Sequence, residues 1–333
     1  MIKWLRLVIL ILCVNLQVQA QFNSVNYSIQ AHQDDWQLFW SSRVITAMSV
    51  ANSKMVFITL TAGDASSGIN AYGGGGPFYL SRETGSMFAS KFAADLTTGT
   101  APLDLPVVTT VTINSHTITK YVYKNTVNYF LRLPDGEKNG SGFTNNHDQS
   151  LLRLRGVAPN PLPNPNWWYS IPAINVIGNT SAAPLSGPPL LTYTWDQLVA
   201  TVKAIINLER IPGTQSWVFT ADERTVAPYN FDDHTDHIAA SYVAQQAVTT
   251  FPALNWVGLD GYLAYTTSTL PVNLSKTQIE NASILFGLEV LGMTEERYHN
   301  DYLPDAGHLA WLPNDTYNTR RPMPFPNVYA PPF

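Results

Sequence analysis

The chain has 333 residues and a formal net charge of −5, and only 13% of its residues are Asp, Glu, Lys or Arg. No basic run longer than a pair occurs, which excludes nucleic acid as a partner held through its phosphates. Apolar residues make up 45%, enough to bury a sizeable core, and the length allows one large domain or two modest ones.

Residues 1–20 read as a secretory signal peptide. Lys3 and Arg6 supply the positive start, Leu7 to Val14 the apolar stretch, and Val18-Gln19-Ala20 the small residues of a cleavage site. The expected location is therefore secreted or periplasmic, with a mature chain from near Gln21. A membrane span needs ~20 apolar residues. Asn15, Gln17 and Gln19 break the run before that, and no later stretch is long and apolar enough, so stable membrane insertion is not expected. Cys13 is the only cysteine and lies within the signal. Any metal site in the remainder must use His, Asp and Glu. Six Asn-x-Ser/Thr triplets, at Asn26, Asn139, Asn179, Asn273, Asn281 and Asn314, are glycan acceptors if the chain passes through a eukaryotic secretory pathway.

Asn26 to Ala31 reads as a short strand that runs straight into His32-Gln33-Asp34-Asp35. Trp36 to Met48 has helical spacing, with Trp36, Phe39, Trp40, Val44 and Met48 near one face. Met55 to Thr61 is a second strand ending in Ala62-Gly63-Asp64, and after the glycine run 73–76 a helix is expected from Tyr79 to Asp95. Val107 to Leu133 is rich in β-branched and aromatic residues, with Asn114-Ser115-His116 in its middle, and reads as a hairpin. Residues 134–189 are rich in Pro, Gly, Asn and Ser and form a long loop or lid insertion, expected to cover the metal edge. Thr194 caps a helix from Trp195 to Leu208, and Ser216 to Thr220 is a strand. His234 to Ala247 starts as a loop and continues as a helix, Trp256 to Tyr265 is a strand, and the last ~40 residues hold two helical fragments and a Pro-rich tail. Alternating strands and helices predict an α/β fold: a three-layer, Rossmann-like domain over residues 21–333 with a mainly parallel sheet.

In such sheets, ligands bind beyond the carboxyl ends of the strands. His32, Asp34 and Asp35 follow the first strand, Asp64 follows the second, and His234, Asp236 and His237 follow the strand at Ser216–Thr220. The fold thus gathers them at one edge. Two His and one Asp make an open three-ligand site for Zn2+ or another divalent metal. Such an ion lowers the pKa of water toward ~7 and polarises a carbonyl. Of the adjacent Asp34 and Asp35, one can bind metal while the other acts as base. Taken singly, His-x-Asp-Asp is also a loop with a helix cap, and His-x-x-His a solvated loop. Together, at matching sheet positions, they favour chemistry.

Ala31-His32-Gln33-Asp34-Asp35 resembles the Ala-His-Pro-Asp-Asp motif of the PIG-L/LmbE-like zinc-dependent N-deacetylases, and Asp233-His234-Thr235-Asp236-His237 resembles their His-x-Asp-His motif. Thr59 to Asp64 and Arg82-Glu83 resemble the segments between, so the likeness runs from about residue 25 to 265. It implies a hydrolase removing an N-acetyl group from an amino sugar or glycoconjugate. By position, His32, Asp35 and His237 match the metal ligands and Asp34 the general base. His234 matches the histidine that stabilises the oxyanion or protonates the leaving amine, and Arg82 a substrate-binding arginine. Asp64 either holds a ligand histidine from behind or closes a turn, and Asp236 orients the histidine loop. Gln33 stands where the family has proline, and Trp36 where an acidic residue is common. Beyond about residue 266 nothing matches. Two other readings fit the residues: a non-haem iron oxygenase using two His and one Asp, expected on a β-barrel, and a secreted glycan-binding protein with an inactive site, to which Trp167-Trp168-Tyr169 would offer stacking faces. Sequence gives no partner for His116, His147, His299 or His308, which read as structural.

Overall fold

The computed structural model describes residues 22–65, 77–100, 106–158, 168–177, 192–225, 232–249, 251, 257–295 and 306–314. In chain order the elements are β1 (Ser24–Gln30), α1 (Asp35–Phe39), α2 (Ser41–Met48), β2 (Ser53–Thr61), α3 (Phe78–Thr98), β3 (Val107–Ile113), β4 (His116–Tyr123) and β5 (Thr126–Leu133). They continue with α4 (Leu151–Arg155), β6 (Ile174–Asn175), β7 (Thr192–Tyr193), α5 (Trp195–Glu209), β8 (Ser216–Ala221), α6 (Thr235–Val248), β9 (Val257–Tyr262), α7 (Lys276–Glu295) and α8 (Ala306–Trp311). The signal segment, the glycine run 73–76, Trp167 and His299 lie outside the described residues.

Seven strands form one sheet in the order β3-β4-β5-β2-β1-β8-β9. β5, β2, β1, β8 and β9 are parallel, and β4 and β3 continue antiparallel at one edge. Val25, Tyr27 and Ile29 of β1 join Val56, Ile58 and Leu60 of β2 in a core with Leu198, Val202 and Ile205 of α5 and Ala239, Val243 and Ala247 of α6. The opposite face carries Met55, Phe57, Phe219 and Tyr262, packed against residues of α1, α2, α3 and α7. The domain is a three-layer α/β sandwich, as the alternation of elements predicts; the β-barrel of the oxygenase reading is not what these residues build.

On this second face β1 is polar: Trp40 Nε1 donates to Ser28 Oγ (3.0 Å), Ser28 Oγ to Gln30 Oε1 (2.8 Å), and Gln30 Nε2 to Thr59 Oγ1 (3.2 Å). That bonding explains a departure from the expected helix over 36–48. The segment is two helices broken at Trp40 (φ −150°, ψ 27°), whose indole turns onto the sheet to reach Ser28 and to stack on Tyr262.

The expected hairpin over 107–133 is a three-stranded meander. Its first turn is the two-residue Asn114-Ser115, both at positive φ (49° and 66°), as a type I′ turn requires. The second, at Lys124-Asn125, carries no Gly or Pro to announce it. The described parts of the expected lid, 134–158 and 168–177, are not structureless: they contain a short 3-10 turn, α4 and β6. α6 begins at Thr235, with His234 non-helical as its N-cap, as expected for a segment that starts as a loop and continues as a helix. The 20-residue α7, just before the last ~40 residues and not expected from the sequence, packs along α3, and the described part of those last residues holds α8 and a 3-10 turn. No described helix is long and apolar enough to cross a membrane. Asn26 is buried within β1, so this one of the six glycan triplets is closed to modification in the folded chain.

Candidate metal centre

β1 lies between β2, reached next along the chain, and β8, reached much later. The strand order reverses there, and the crevice beyond the carboxyl ends of β1 and β8 is where an α/β sheet places a ligand. The loop after β1 and the start of α1 bring His32, Asp34 and Asp35 to it, and the residues just before α6 and its first turn bring Asp233, His234, Asp236 and His237.

Asp35 and His237 are each held by one side and offered by the other. Asp35 Oδ2 accepts the backbone N–H of Ala31 (2.8 Å) and of His32 (3.1 Å), which leaves Oδ1 facing His237 Nε2 at 3.0 Å and His32 Nδ1 at 3.4 Å. His237 Nδ1 lies 2.8 Å from Asp233 Oδ1, so a proton on Nδ1 fixes the tautomer that turns the Nε2 lone pair inward. His32 Nδ1 and His237 Nε2 are 3.2 Å apart. Three ligand atoms therefore stand 3.0–3.4 Å from one another. A tetrahedral zinc with bonds of ~2.0–2.1 Å needs edges of about 3.3 Å. The donor set and its spacing fit the ion.

A second buried group capable of holding a cation is His32, Asp135, His234 and Asp236. Its contacts are looser: His32 Nε2 is 3.6 Å from Asp236 Oδ2 and 3.9 Å from Asp135 Oδ2, and His234 Nε2 is 3.7 Å from Asp135 Oδ1. His234 Nδ1 is already engaged, accepting Asp236 N–H at 3.2 Å as the cap of α6. Asp236 Oδ2 accepts Gly136 N–H at 2.7 Å. These residues back the tighter trio. Asp236 holds the 136 loop, and its carboxylate stands near the far nitrogen of His32 without bonding it.

The electrostatics point the same way. Burial opposes charge on His32, but Asp236, Asp35 and Asp135 outweigh it and raise the imidazole to about 10. His237 is also raised, against its burial, by Asp35 and Asp233, while Asp35, despite burial, is held low by His237 and His32. The cluster demands positive charge, which protons supply when no ion does. His234 goes the other way: burial, then the charge of His32, lower it to about 4. With Nδ1 as acceptor, neutral His234 carries its proton on Nε2 and is a hydrogen-bond donor.

Asp34 occupies the N-cap position of α1, yet its side chain makes no capping bond. Instead Oδ1 accepts from Arg82 Nη2, and the carboxylate remains partly exposed beside the ligand trio. Arg82 is buried, not a surface helix residue, and its Nη1 donates to Gly63 O at 2.9 Å. Only glycine suits position 63: φ is +54°, and a Cβ there would come within 2.3 Å of Arg82 Nη1. Gln33 Nε2 donates to Ala62 O at 2.9 Å and ties the loop to the end of β2. Trp36 packs on Phe57 inside the core and does not line the crevice.

Asp64 touches no ligand histidine among its hydrogen bonds: it accepts from Asp135 N (3.2 Å) and Asn146 Nδ2 (2.8 Å). It tethers the segment after β5, and burial raises its carboxyl to about 6. That segment supplies a residue the sequence reading missed, Asp135, buried against His32 and His234. Asp233 was missed as a support of His237, although a carboxylate four residues before a ligand on a helix start is a legible signal. Also missed was an aromatic wall: Tyr265 meets the His237 ring edge-on at 5.3 Å, Trp311 stacks on Tyr265 at 4.5 Å, and Phe39 closes on both. Of the remaining histidines, His116 stacks on Tyr193 and bonds Thr192 O, and His308 stacks on Phe286. Arg153 lies over the Tyr169 ring at 4.0 Å.

No family model and no curated protein sequence matches the chain. Among solved structures it is similar to the N,N′-diacetylchitobiose deacetylase from Pyrococcus horikoshii, with 11% identity, 84% of this chain and 72% of that chain covered, and a TM-score of 0.38. A likeness at that level does not bear on function, which has to be argued from the site.

Proposed function

We propose that the chain is a metal-dependent hydrolase that removes an N-acyl group, the N-acetyl group of an amino sugar or glycoconjugate. The observation that carries the metal is the trio of His32 Nδ1, Asp35 Oδ1 and His237 Nε2 at tetrahedral spacing, with Asp35 and His237 each oriented by hydrogen bonds from behind. The choice of amide and amino sugar rests on the resemblance of the two His/Asp motifs.

His32, Asp35 and His237 would hold a zinc or similar divalent ion, which supplies a Lewis acid that polarises the amide carbonyl and makes water a better nucleophile. Asp34 stands beside the trio with one oxygen fixed by Arg82. Its other oxygen takes the proton from the water as the oxygen attacks the carbonyl carbon. Neutral His234 donates from Nε2 to the oxygen on which negative charge develops, a role that needs no imidazolium. When the C–N bond breaks, Asp34 returns its proton to the departing nitrogen, leaving acetate and the free amine. All groups of this scheme are present, which favours an active enzyme over a binding protein with an inactive site. Export as a secreted or periplasmic protein is part of the same proposal and rests on the composition of residues 1–20.

The test is elemental analysis of the purified protein together with acetate release from N-acetylglucosamine oligomers, before and after chelation. About one divalent ion per chain and chelator-sensitive release are expected. Release insensitive to chelator would remove the metal, and none from any amino-sugar oligomer would remove the substrate class.

A further inference from the structure

We propose that Glu289, on α7, is a positioning residue of this site, holding the Arg82 guanidinium and through it the Asp34 carboxylate. The inference rests on the functional reading above and extends it to a part of the chain beyond the motif resemblance.

α7 reaches the site because two glycines let it approach α3 closely. A Cβ on Gly85 would lie 2.4 Å from the carbonyl oxygen of Glu289, and one on Gly292 would lie 2.5 Å from Gly85 Cα. Gly85 is one turn after Arg82 on α3, and Gly292 one turn after Glu289 on α7. The contact therefore sets the Glu289 carboxyl beside the guanidinium. Glu289 Oε1 stands 3.9 Å from Arg82 Nε, and Oε2 bonds the side-chain amide of Gln37 on α1 at 2.5 Å. Arg82 Nη1 and Nη2 are taken by Gly63 O and Asp34 Oδ1. A guanidinium presents its donors in one rigid plane. With Gly63, Asp34 and Glu289 on different edges, its orientation is determined, and so is that of the Asp34 oxygen bonded to it.

A buried carboxyl is costly to keep where a hydrocarbon side chain would pack. Glu289 is 1% exposed on the apolar flank of α7, between Phe286 and Met293, so a core-filling role alone would be better served by Leu or Met. Burial and the nearby charge of Asp34 push its proton affinity well up, against the opposing pull of Arg82. Glu289 Oε1 faces the Nε edge of Arg82 across 3.9 Å, within ion-pair reach but not a direct hydrogen bond, and so closes the one edge of the guanidinium that Gly63 and Asp34 leave open. The amide of glutamine is isosteric with a neutral carboxyl and should do the same.

The experiment compares Glu289→Met, Glu289→Gln, Arg82→Ala and the double variant Glu289→Met/Arg82→Ala in the full, metal-loaded protein. The readouts are kcat and KM for acetate release, metal content, and the ¹⁵N signal of the Arg82 Nε–H. Glu289→Met is expected to lower kcat about ten- to hundredfold, the scale of a small misplacement of reacting groups, with metal content and KM little changed. Glu289→Gln should restore kcat to within about threefold of wild type, and in the Arg82→Ala background Glu289→Met should cost no more than about a further twofold. The Arg82 Nε–H should be protected from exchange in the wild type and the Gln variant and lose protection in the Met variant. Additive losses in the double variant, wild-type kcat in Glu289→Met, or an unchanged Nε–H signal would overturn the assignment. If the wild type releases no acetate, the functional reading falls, and the Nε–H signal still decides whether Glu289 positions Arg82.

Discussion

Replacing Asp34 by Asn separates the role of base from the role of ligand. Asp34 is not among the three atoms that stand at tetrahedral spacing, and its Oδ1 accepts from Arg82. An asparagine keeps an oxygen for that bond, so the loop should hold its shape. The ion pair with Arg82 becomes a neutral–charged hydrogen bond, a loss of about 1–2 kcal/mol of stability at most for a partly exposed group. What asparagine cannot do is accept a proton. General-base help is typically worth ~10²–10⁴ in rate. In barrier terms that is about 3–5 kcal/mol. Asp34→Asn is therefore expected to retain about one metal ion per chain by elemental analysis, to melt within a few degrees of wild type, and to release acetate at least about a hundredfold more slowly. A variant emptied of metal would make Asp34 a ligand and require Asp34 and Asp35 to exchange roles. Release at the wild-type rate would refute the mechanism outright.

Further outcomes follow from the same geometry. His32→Ala should lose most of its metal, and Asp233→Asn, which weakens the hold on His237 Nδ1, should lower metal affinity about 10–100-fold with the ligand trio intact; titration with a competing chelator measures both, and full retention by His32→Ala would sink the trio. Metal binding should release at least one proton at pH 7, because His32 is raised to about 10 in the metal-free protein; calorimetry in two buffers of different ionisation enthalpy counts it. The sign for stability is the reverse: the charged His32 stabilises the metal-free fold fully below about pH 6.5, and this contribution is lost as pH rises through about 10, so metal-free protein should melt lower at pH 10 than at pH 6.5. Asp64, raised to about 6 by burial, favours the fold when protonated, and that stabilisation is lost as pH rises through about 6. Asp64→Asn, with Asn146 free to turn its amide, should thus gain stability relative to wild type at pH 7.5 but not at pH 3.5. The difference is on the order of 3 kcal/mol for a shift of about two pH units; equal melting shifts at both pH values would count against it.

Local pattern was enough to find β1, β2, α3, α5 and β8, because each is an apolar or amphipathic run bounded by turn residues, and α5 announces its start with the Thr194–Gln197 capping box. The fold class also accounts for the juxtaposition of His32, Asp34, Asp35, His234 and His237, which stand at the carboxyl-end edge of the parallel strands, in the loop after β1 and at the starts of α1 and α6. Local pattern was not enough at Trp40, where a continuous helical period is broken by a hydrogen bond to Ser28, nor at Lys124-Asn125, where the turn is imposed by pairing β5 with β2. Residue types alone left open which of the two carboxylates faces the histidines, and only the resemblance chose Asp35; in the structure Asp35 Oδ1 faces His237 while the backbone N–H groups of Ala31 and His32 claim its Oδ2. The tertiary structure likewise places Asp135, Tyr265 and Trp311 around the candidate trio and Glu289 beside Arg82. Those residues come from four separate stretches with no shared spacing, and long-range packing, which no periodicity along the chain encodes, is what brings them together.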